Sequence, residues 1–557
     1  MKEKNNNFNA TNAVSRYYEQ LAKKDNRPNI LILMTDQQRY DTIKSHGYPF
    51  MHTPNLDKLS EQSVSYKNAY TPNPICCPAR HNFITGVSSK YHGIADNDFN
   101  ARLPHDIPAF PSLLCSSGYQ TAAIGKMHFQ PMREHHGFER LELMEEVPEY
   151  REDDDYAMFL KEKGYGHVQN IHGVRNLLYM VPQQTILPPE LHGSKWVADR
   201  GIKFLDENSG KRPFLLYLSW IAPHPPFNSV NKYADLYKDK DIPMPVKSTT
   251  DLCSLSEENK LLGDLPNDDY MRRMREIYYG LISQVDEQVG RVLDKLENIG
   301  QLENTIIFFT TDHGEMLGDH GLYQKWLPYD AATRIPFIVK YPEGFTPTVN
   351  KDDHVDLNDI FPTLLDVAGI NFDAPYPLMG GSLLDRSEKK KDREYQYVSY
   401  AKANRRWCSV TDQKFKYNYF YGGGRQELFN LIEDPHETTN LLATKKMSEF
   451  EDIVSVMKTK LIELEIEHWD PDYIVDGDFK VFDDYVPNPS RNIARPQYPK
   501  NLVHEDEING QNNFVDEVIE AVKDESVVRI SDLDYKSWQA NLNISDDDMK
   551  RTLKSTE

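Results

Sequence analysis

The stretch NILILMTDQ, residues 29–37, runs apolar from Ile30 to Met34 and then breaks into Thr35, Asp36 and Gln37. A second stretch, TIIFFTTDHG at residues 305–314, repeats the design, with Asp312 and His313 after the apolar run. An unbroken apolar run of this length, without alternation, reads as a strand buried on both faces. TAAIGKMHF (121–129) and FLLYLSWIAPHPP (214–226) are two more such runs. From about residue 28 to 385 they alternate with amphipathic stretches, the pattern of helices flanking a mainly parallel sheet. In such sheets ligands bind beyond the carboxyl ends of the strands, so the terminal polar residues should meet in one crevice.

Asp36, Gln37, Asp312 and His313 would then share one point. Hard divalent cations take carboxylate and amide oxygens, while an imidazole nitrogen shifts the balance towards Mn2+ or another transition metal. An Asp after a strand more often caps the next helix, but a matched pair favours a metal. GKMHF supplies Lys126 and His128 at alternate positions, which share a side in extended chain. APHPP sets His224 among stiffening prolines. GDHG, with Asp319 and His320, has no apolar strand leading into it and reads as a turn or supporting element.

The chain has 557 residues and a net charge of −22, from 86 acidic and 64 basic residues. That balance argues against a nucleic-acid partner, and an anionic substrate would need its own local cations. No run approaches the ~20 apolar residues that span a bilayer, and the first 27 residues lack the apolar core of a secretory signal. The expectation is a cytoplasmic protein without a membrane partner, with a periplasmic or secreted location as the alternative. Five scattered cysteines do not suggest a disulfide framework. Cys76 and Cys77 stand together in PNPICCPARHNFITG (72–86), where Arg80 could stabilise a thiolate.

CCPARHNFITG resembles the signature of the sulfatase family, C-x-P-[S/A]-R followed by a short helix and T-G. TDQ, GKMH, PHPP, TDHG and LYQKW follow in the family's order, and the resemblance runs from about residue 28 to 445. It implies an alkaline-phosphatase-like α/β sandwich: a large, mostly parallel sheet flanked by helices, plus a smaller C-terminal antiparallel subdomain. It also implies that a formylglycine-generating enzyme converts Cys76 to formylglycine, with Cys77 the variable position. Asp36, Gln37, Asp312, His313 and modified Cys76 look like ligands of one divalent ion, Ca2+ first, with Mn2+ or Mg2+ as alternatives. Arg80 and Lys126 would hold the formylglycine hydrate, and His128 would orient or deprotonate one hydroxyl. His224 and Lys325 would grip the sulfate, and Asn97 matches a substrate-contacting Asn of some branches.

Gln37, His313, Met127 and Ala79 depart from the commonest residues at their positions. The Gln and His pair resembles the choline-sulfatase and phosphonate monoester hydrolase branches, while iduronate-type sulfatases also carry Asp-His. The implied activity is hydrolysis of a small-molecule or oligosaccharide sulfate ester, most simply a sulfated carbohydrate. The alternatives are a phosphonate monoester or phosphodiester hydrolase and a non-catalytic binder of sulfated ligands.

Four segments are expected: an extension at 1–27, a catalytic domain at 28–385, an antiparallel subdomain at 386–470 and an acidic arm at 471–557. The charged run RSEKKKDRE links the second to the third, and segments 131–195 and 228–265 are candidate pocket walls. Helical spacing of Met271, Met274, Ile277, Tyr278, Leu281, Val285, Val289, Val292 and Leu296 marks a long helix with a core-facing stripe.

Overall fold

The computed structural model describes residues 25–486, apart from 99, 167, 169–170, 174–181, 186, 253–267, 348–349, 385–392 and 445–446. Seven strands form the main sheet: β1 (Asn29–Asp36), β2 (Val64–Ser65), β3 (Gln120–Gly125), β4 (Arg140–Leu143), β5 (Phe214–Pro223), β6 (Thr305–Thr311) and β7 (Phe337–Lys340). Their order is β2-β7-β6-β1-β5-β3-β4. The five strands from β6 to β4 run parallel, whereas β7 lies antiparallel to β6 and to β2. The four apolar runs are thus four adjacent strands, β6, β1, β5 and β3, each buried along its whole length.

Burial on both faces explains why these runs do not alternate. Leu31 and Leu33 of β1 enter the core on one face, and Ile30, Ile32 and Met34 enter the core on the other. Helices α2 (Gly193–Asn208) and α3 (Asp268–Asn298) contribute Val197 and Val285 to the first core. Helices α1 (Cys76–Thr85) and α4 (Ile360–Val367) supply Phe83 and Leu364 to the second. The nine apolar residues expected to form the stripe on α3 are all buried. Each such side chain is worth about 1.5–3 kcal/mol of transfer free energy, enough to fix which face of the helix meets the sheet.

Register then brings the ligand candidates together. Thr35 lies opposite Thr311, so Asp36 and Asp312 leave neighbouring strands side by side.

A separate antiparallel sheet follows in the order β8 (Gln396–Tyr400), β9 (Trp407–Thr411), β10 (Phe415–Phe420) and β11 (Arg425–Asn430). Helix α5 (Glu451–His468) packs on it through Met457 and Leu461. A buried Arg406–Glu465 pair at 2.6 Å ties the two together, and the Tyr421 hydroxyl donates to the same carboxylate at 2.7 Å. The small sheet also grips the segment after Lys325. Trp407 Nε1 donates to the Trp326 carbonyl at 2.7 Å, the Tyr329 hydroxyl donates to Glu427 at 3.0 Å, and Lys416 pairs with Asp330 at 2.5 Å.

Residues 471–486, read from sequence as the start of an arm, are laid on this sheet. Phe479 stacks on Tyr419 with ring centroids 4.1 Å apart. Aromatic burial outweighs the Asp-rich composition that made the segment look unstructured. The rest of the arm, the extension 1–24 and most of the charged linker lie outside the described residues. Among the described residues no helix is long and apolar enough to cross a membrane.

Candidate active site

Asp36 closes β1, and Gln37 turns the chain away with φ 64°. Asp312 follows β6 and accepts, through Oδ1, the main-chain N–H groups of Gln37 at 3.1 Å and His313 at 3.0 Å. Both carboxylates are fully buried, and two like charges side by side need compensation. Arg80, on α1, supplies part of it. Its Nη2 meets Asp36 at 3.1 Å, its Nε meets Asp312 at 2.9 Å, and Nη1 donates to the Lys126 carbonyl at 2.6 Å and Ser219 Oγ at 2.9 Å. The planar fork therefore bridges the two acids, a task a lysine could not perform. Burial pushes the Asp312 carboxyl up, but His313 and Arg80 pull it down further, to about 2.

Cys76 is the first residue of α1, where unpaired N–H groups give a partial positive charge. Its Sγ lies 3.2 Å from His313 Nε2, 3.3 Å from Lys325 Nζ, 3.8 Å from Lys126 Nζ and 3.9 Å from Asp36 Oδ1. Burial and Asp36 push this thiol up, yet Lys126, Lys325 and His313 together hold it well below the usual thiol range. Cys77 faces elsewhere: its Sγ lies 3.7 Å from His81 Nδ1 and 3.7 Å from the His128 carbonyl, and burial pushes its thiol far up. Adjacent positions at a helix start point in different directions, which separates a thiol in the crevice from a packed one.

Lys126 follows β3 and bridges Asp36 Oδ2 at 2.7 Å and Glu146 Oε2 at 2.8 Å. Lys325 Nζ contacts Gln37 Oε1 at 2.6 Å and His224 Nε2 at 2.7 Å. His224 Nδ1 faces the Pro225 carbonyl at 2.6 Å; a carbonyl only accepts, so Nδ1 carries the proton and Nε2 accepts from Lys325. By the same reasoning His313 Nδ1 donates to the Gly314 carbonyl at 3.0 Å, which turns Nε2 towards Cys76 and the two acids.

These residues fit a divalent ion. One ligand atom from each of Asp36, Cys76, Asp312 and His313 lies within 4.8 Å of the others. The Gln37 amide is oriented as well, since its Nε2 donates to Glu315 and its oxygen turns towards Lys325 and the crevice.

The extended geometry expected of GKMHF does not hold. Strand β3 stops at Gly125 and His128 has φ 56°, so the chain is not extended between Lys126 and His128. The half-buried His128 is placed by its main-chain N–H, which donates to Glu145 Oε1 at 2.9 Å. Asn97 accepts the Cys77 N–H through Oδ1 at 2.9 Å, serving the start of α1 where Ile75 offers no side-chain cap. Asp319 supports the site from behind by pairing with Arg39 at 2.8 Å and Arg275 at 2.9 Å. Glu145, Glu146 and Glu315 were not singled out from sequence. The first two follow β4, whose run LELMEE is a fifth apolar strand end disguised by its charged residues.

Residues 28–370 match the sulfatase family model, and residues 318–467 match the model described as N-sulphoglucosamine sulphohydrolase, C-terminal. The chain is 31% identical over 460 residues to an arylsulfatase of Clostridium perfringens, covering 78% of this chain and 95% of that protein. It is 26% identical over 497 residues to an N-acetylglucosamine-6-O-sulfatase of Bacteroides thetaiotaomicron, covering 74% and 82%. The solved phosphonate monoester hydrolase of Agrobacterium radiobacter shares the fold, with a TM-score of 0.65 at 23% identity over 81% of this chain and 98% of that one. The chain belongs to the sulfatase family. It is a sulfuric ester hydrolase with the alkaline-phosphatase-like architecture.

Proposed function

We propose that this chain removes sulfate from a sulfated carbohydrate, with Cys76, converted to formylglycine by a formylglycine-generating enzyme, as the nucleophilic position. The observation that carries this reading is the setting of Cys76 Sγ, 3.3 Å from Lys325 Nζ and 3.2 Å from His313 Nε2 at the start of α1. The name of the Bacteroides thetaiotaomicron relative supports a sugar as the sulfated group.

Asp36, Gln37, Asp312 and His313 would hold one divalent ion, Ca2+ first and Mn2+ or Mg2+ as alternatives, which supplies Lewis-acid stabilisation of negative charge. Formylglycine supplies a hydroxyl nucleophile together with a way of shedding sulfate that an unmodified serine lacks. The chain's own residues do the rest. A sulfate ester is an anion, and Lys126 and His224, each after a strand end, and Lys325, on a loop, would reach its oxygens inside a globally acidic protein. Fixed donors of this kind stabilise charge in a water-poor site better than mobile water does. Arg80 keeps the paired carboxylates ionised and in place. His224 Nε2, once protonated, can donate to the departing sugar oxygen. His128 takes the same proposed role towards residue 76 that the family resemblance assigns it, and Asn97 remains a substrate contact through its amide nitrogen.

A phosphonate monoester is the second reading, favoured by the Gln37 and His313 pair and by the fold shared with the Agrobacterium radiobacter enzyme. Sulfate release from N-acetylglucosamine 6-sulfate tests the first. Mature protein should release stoichiometric sulfate and Cys76→Ala none. Absence of release from protein whose residue 76 is shown by mass spectrometry to be formylglycine would overturn the carbohydrate assignment.

A further inference from the structure

Beside the terminal strand β2 lies a cavity of about 520 Å3 that shares none of the residues of the active site. Its wall includes Tyr40, Ser63, Ser65, Lys67, Arg334 and Lys351. The volume is in the range of small-molecule sites. Its charge runs against the rest of the molecule: across the chain acids outnumber bases 86 to 64, whereas among the described residues Glu61 is the sole acidic side chain lining the cavity, against three bases.

Each base has a definite setting. The Arg334 guanidinium lies 4.6 Å from the Tyr40 ring centroid and donates to the Lys67 carbonyl at 2.8 Å. It also pairs loosely with Asp330, at 3.6 Å. Lys67 is 62% exposed and pairs with Asp352 at 3.2 Å, an exposed contact that an incoming anion can replace at little cost. Lys351 is exposed. The hydroxyls of Ser63 and Ser65 are buried and find no hydrogen-bond partner among the described residues. A buried hydroxyl without a partner costs about 1–3 kcal/mol, which a ligand rich in hydroxyls could recover.

We propose that this cavity is a second site that binds an anionic, sulfated sugar unit. Hydroxyl donors and acceptors on one wall meet the sugar, and the lysines and Arg334 meet its sulfate. A peptide adding to the sheet edge fits less well, because β2 offers only two residues, Val64 and Ser65, for pairing. The inference rests on the carbohydrate reading of the substrate, so the test separates the two.

Calorimetric titration of the full chain carrying Cys76→Ala uses N-acetylglucosamine 6-sulfate, with inorganic sulfate and a short peptide as controls. Two binding events per chain are expected. One should disappear when Lys67→Ala and Lys351→Ala are added, and weaken with Ser63→Ala and Ser65→Ala. On protein with Cys76 intact and matured, the two lysine changes should leave aryl sulfate kcat/KM unchanged. A single event that ignores these substitutions overturns the second site and leaves the active-site reading standing. No event at all, with aryl sulfate still hydrolysed, overturns the carbohydrate reading and this site with it. Equally tight inorganic sulfate, or binding of the peptide alone, overturns the sugar assignment.

Discussion

Lys325 Nζ lies 3.3 Å from Cys76 Sγ although 249 residues separate them in sequence. Cys76 is placed by the start of α1, Lys325 by a loop that the small antiparallel sheet holds through Trp326 and Tyr329. The crevice is therefore assembled by both sheets.

Lys325→Met should lower kcat/KM for an aryl sulfate by about 10²–10³, the size of loss seen when one preorganised charge-stabilising donor is removed. Its melting temperature should not fall, because a buried charge leaves with it. Unchanged kcat/KM would remove Lys325 from the proposed machinery.

Cys76→Ala should abolish turnover with the fold intact, and Cys77→Ala should keep most activity at a cost of about 1 kcal/mol for a small core truncation. Steady-state rates and urea unfolding of the two variants decide this. Equal losses of activity in both would contradict the separation of the two thiols seen at the start of α1.

Arg80→Lys should destabilise the metal-free protein by about 3–5 kcal/mol, since one ammonium cannot bridge Asp36 and Asp312 as the guanidinium does. Added Ca2+ or Mn2+ should recover a larger part of that loss than it adds to the parent. Denaturation midpoints with and without metal check it, and an identical metal response in both proteins would oppose the shared-ion reading.

Stability should fall on mild acidification. Burial lowers His46 and His81 to about 4, against an ordinary value of 6.5. A histidine whose folded value is depressed binds fewer protons than in the unfolded chain between those limits. Its stabilising contribution is thus full above pH 6.5 and is lost as pH falls towards 4. Melting temperatures at pH 7.0, 5.5 and 4.5 should drop in sequence; a flat series would mean these rings are not held neutral.

How much of this was legible in the sequence follows from which signals survive without the third dimension. Asp36, Gln37, Asp312 and His313 were readable because each ends an uninterrupted apolar strand. The arrangement of Cys76 near Lys126 and Lys325 followed from family motifs, not from periodicity. Glu146 was hidden because β4 is short and carries Arg140 and Glu142 among its apolar residues. The turn at His128 broke the alternation argument, since positive φ outside glycine is uncommon and the enrichment of His there is too weak to mark a position. Arg80 could be named but not its task, which depends on two strand ends meeting across a register. The packing of Phe479 on Tyr419 was likewise invisible, being a contact between segments that composition alone separates.

A crevice built for sulfate esters should separate a matched aryl sulfate from an aryl phosphonate monoester, and the ratio of their kcat/KM values measures that preference. The measurement uses protein matured at Cys76, with Cys76→Ala as background. A ratio well above one is expected. A ratio well below one would mean that the crevice is not built for sulfate esters and would make the Gln37 and His313 pair the feature that sets phosphonate specificity.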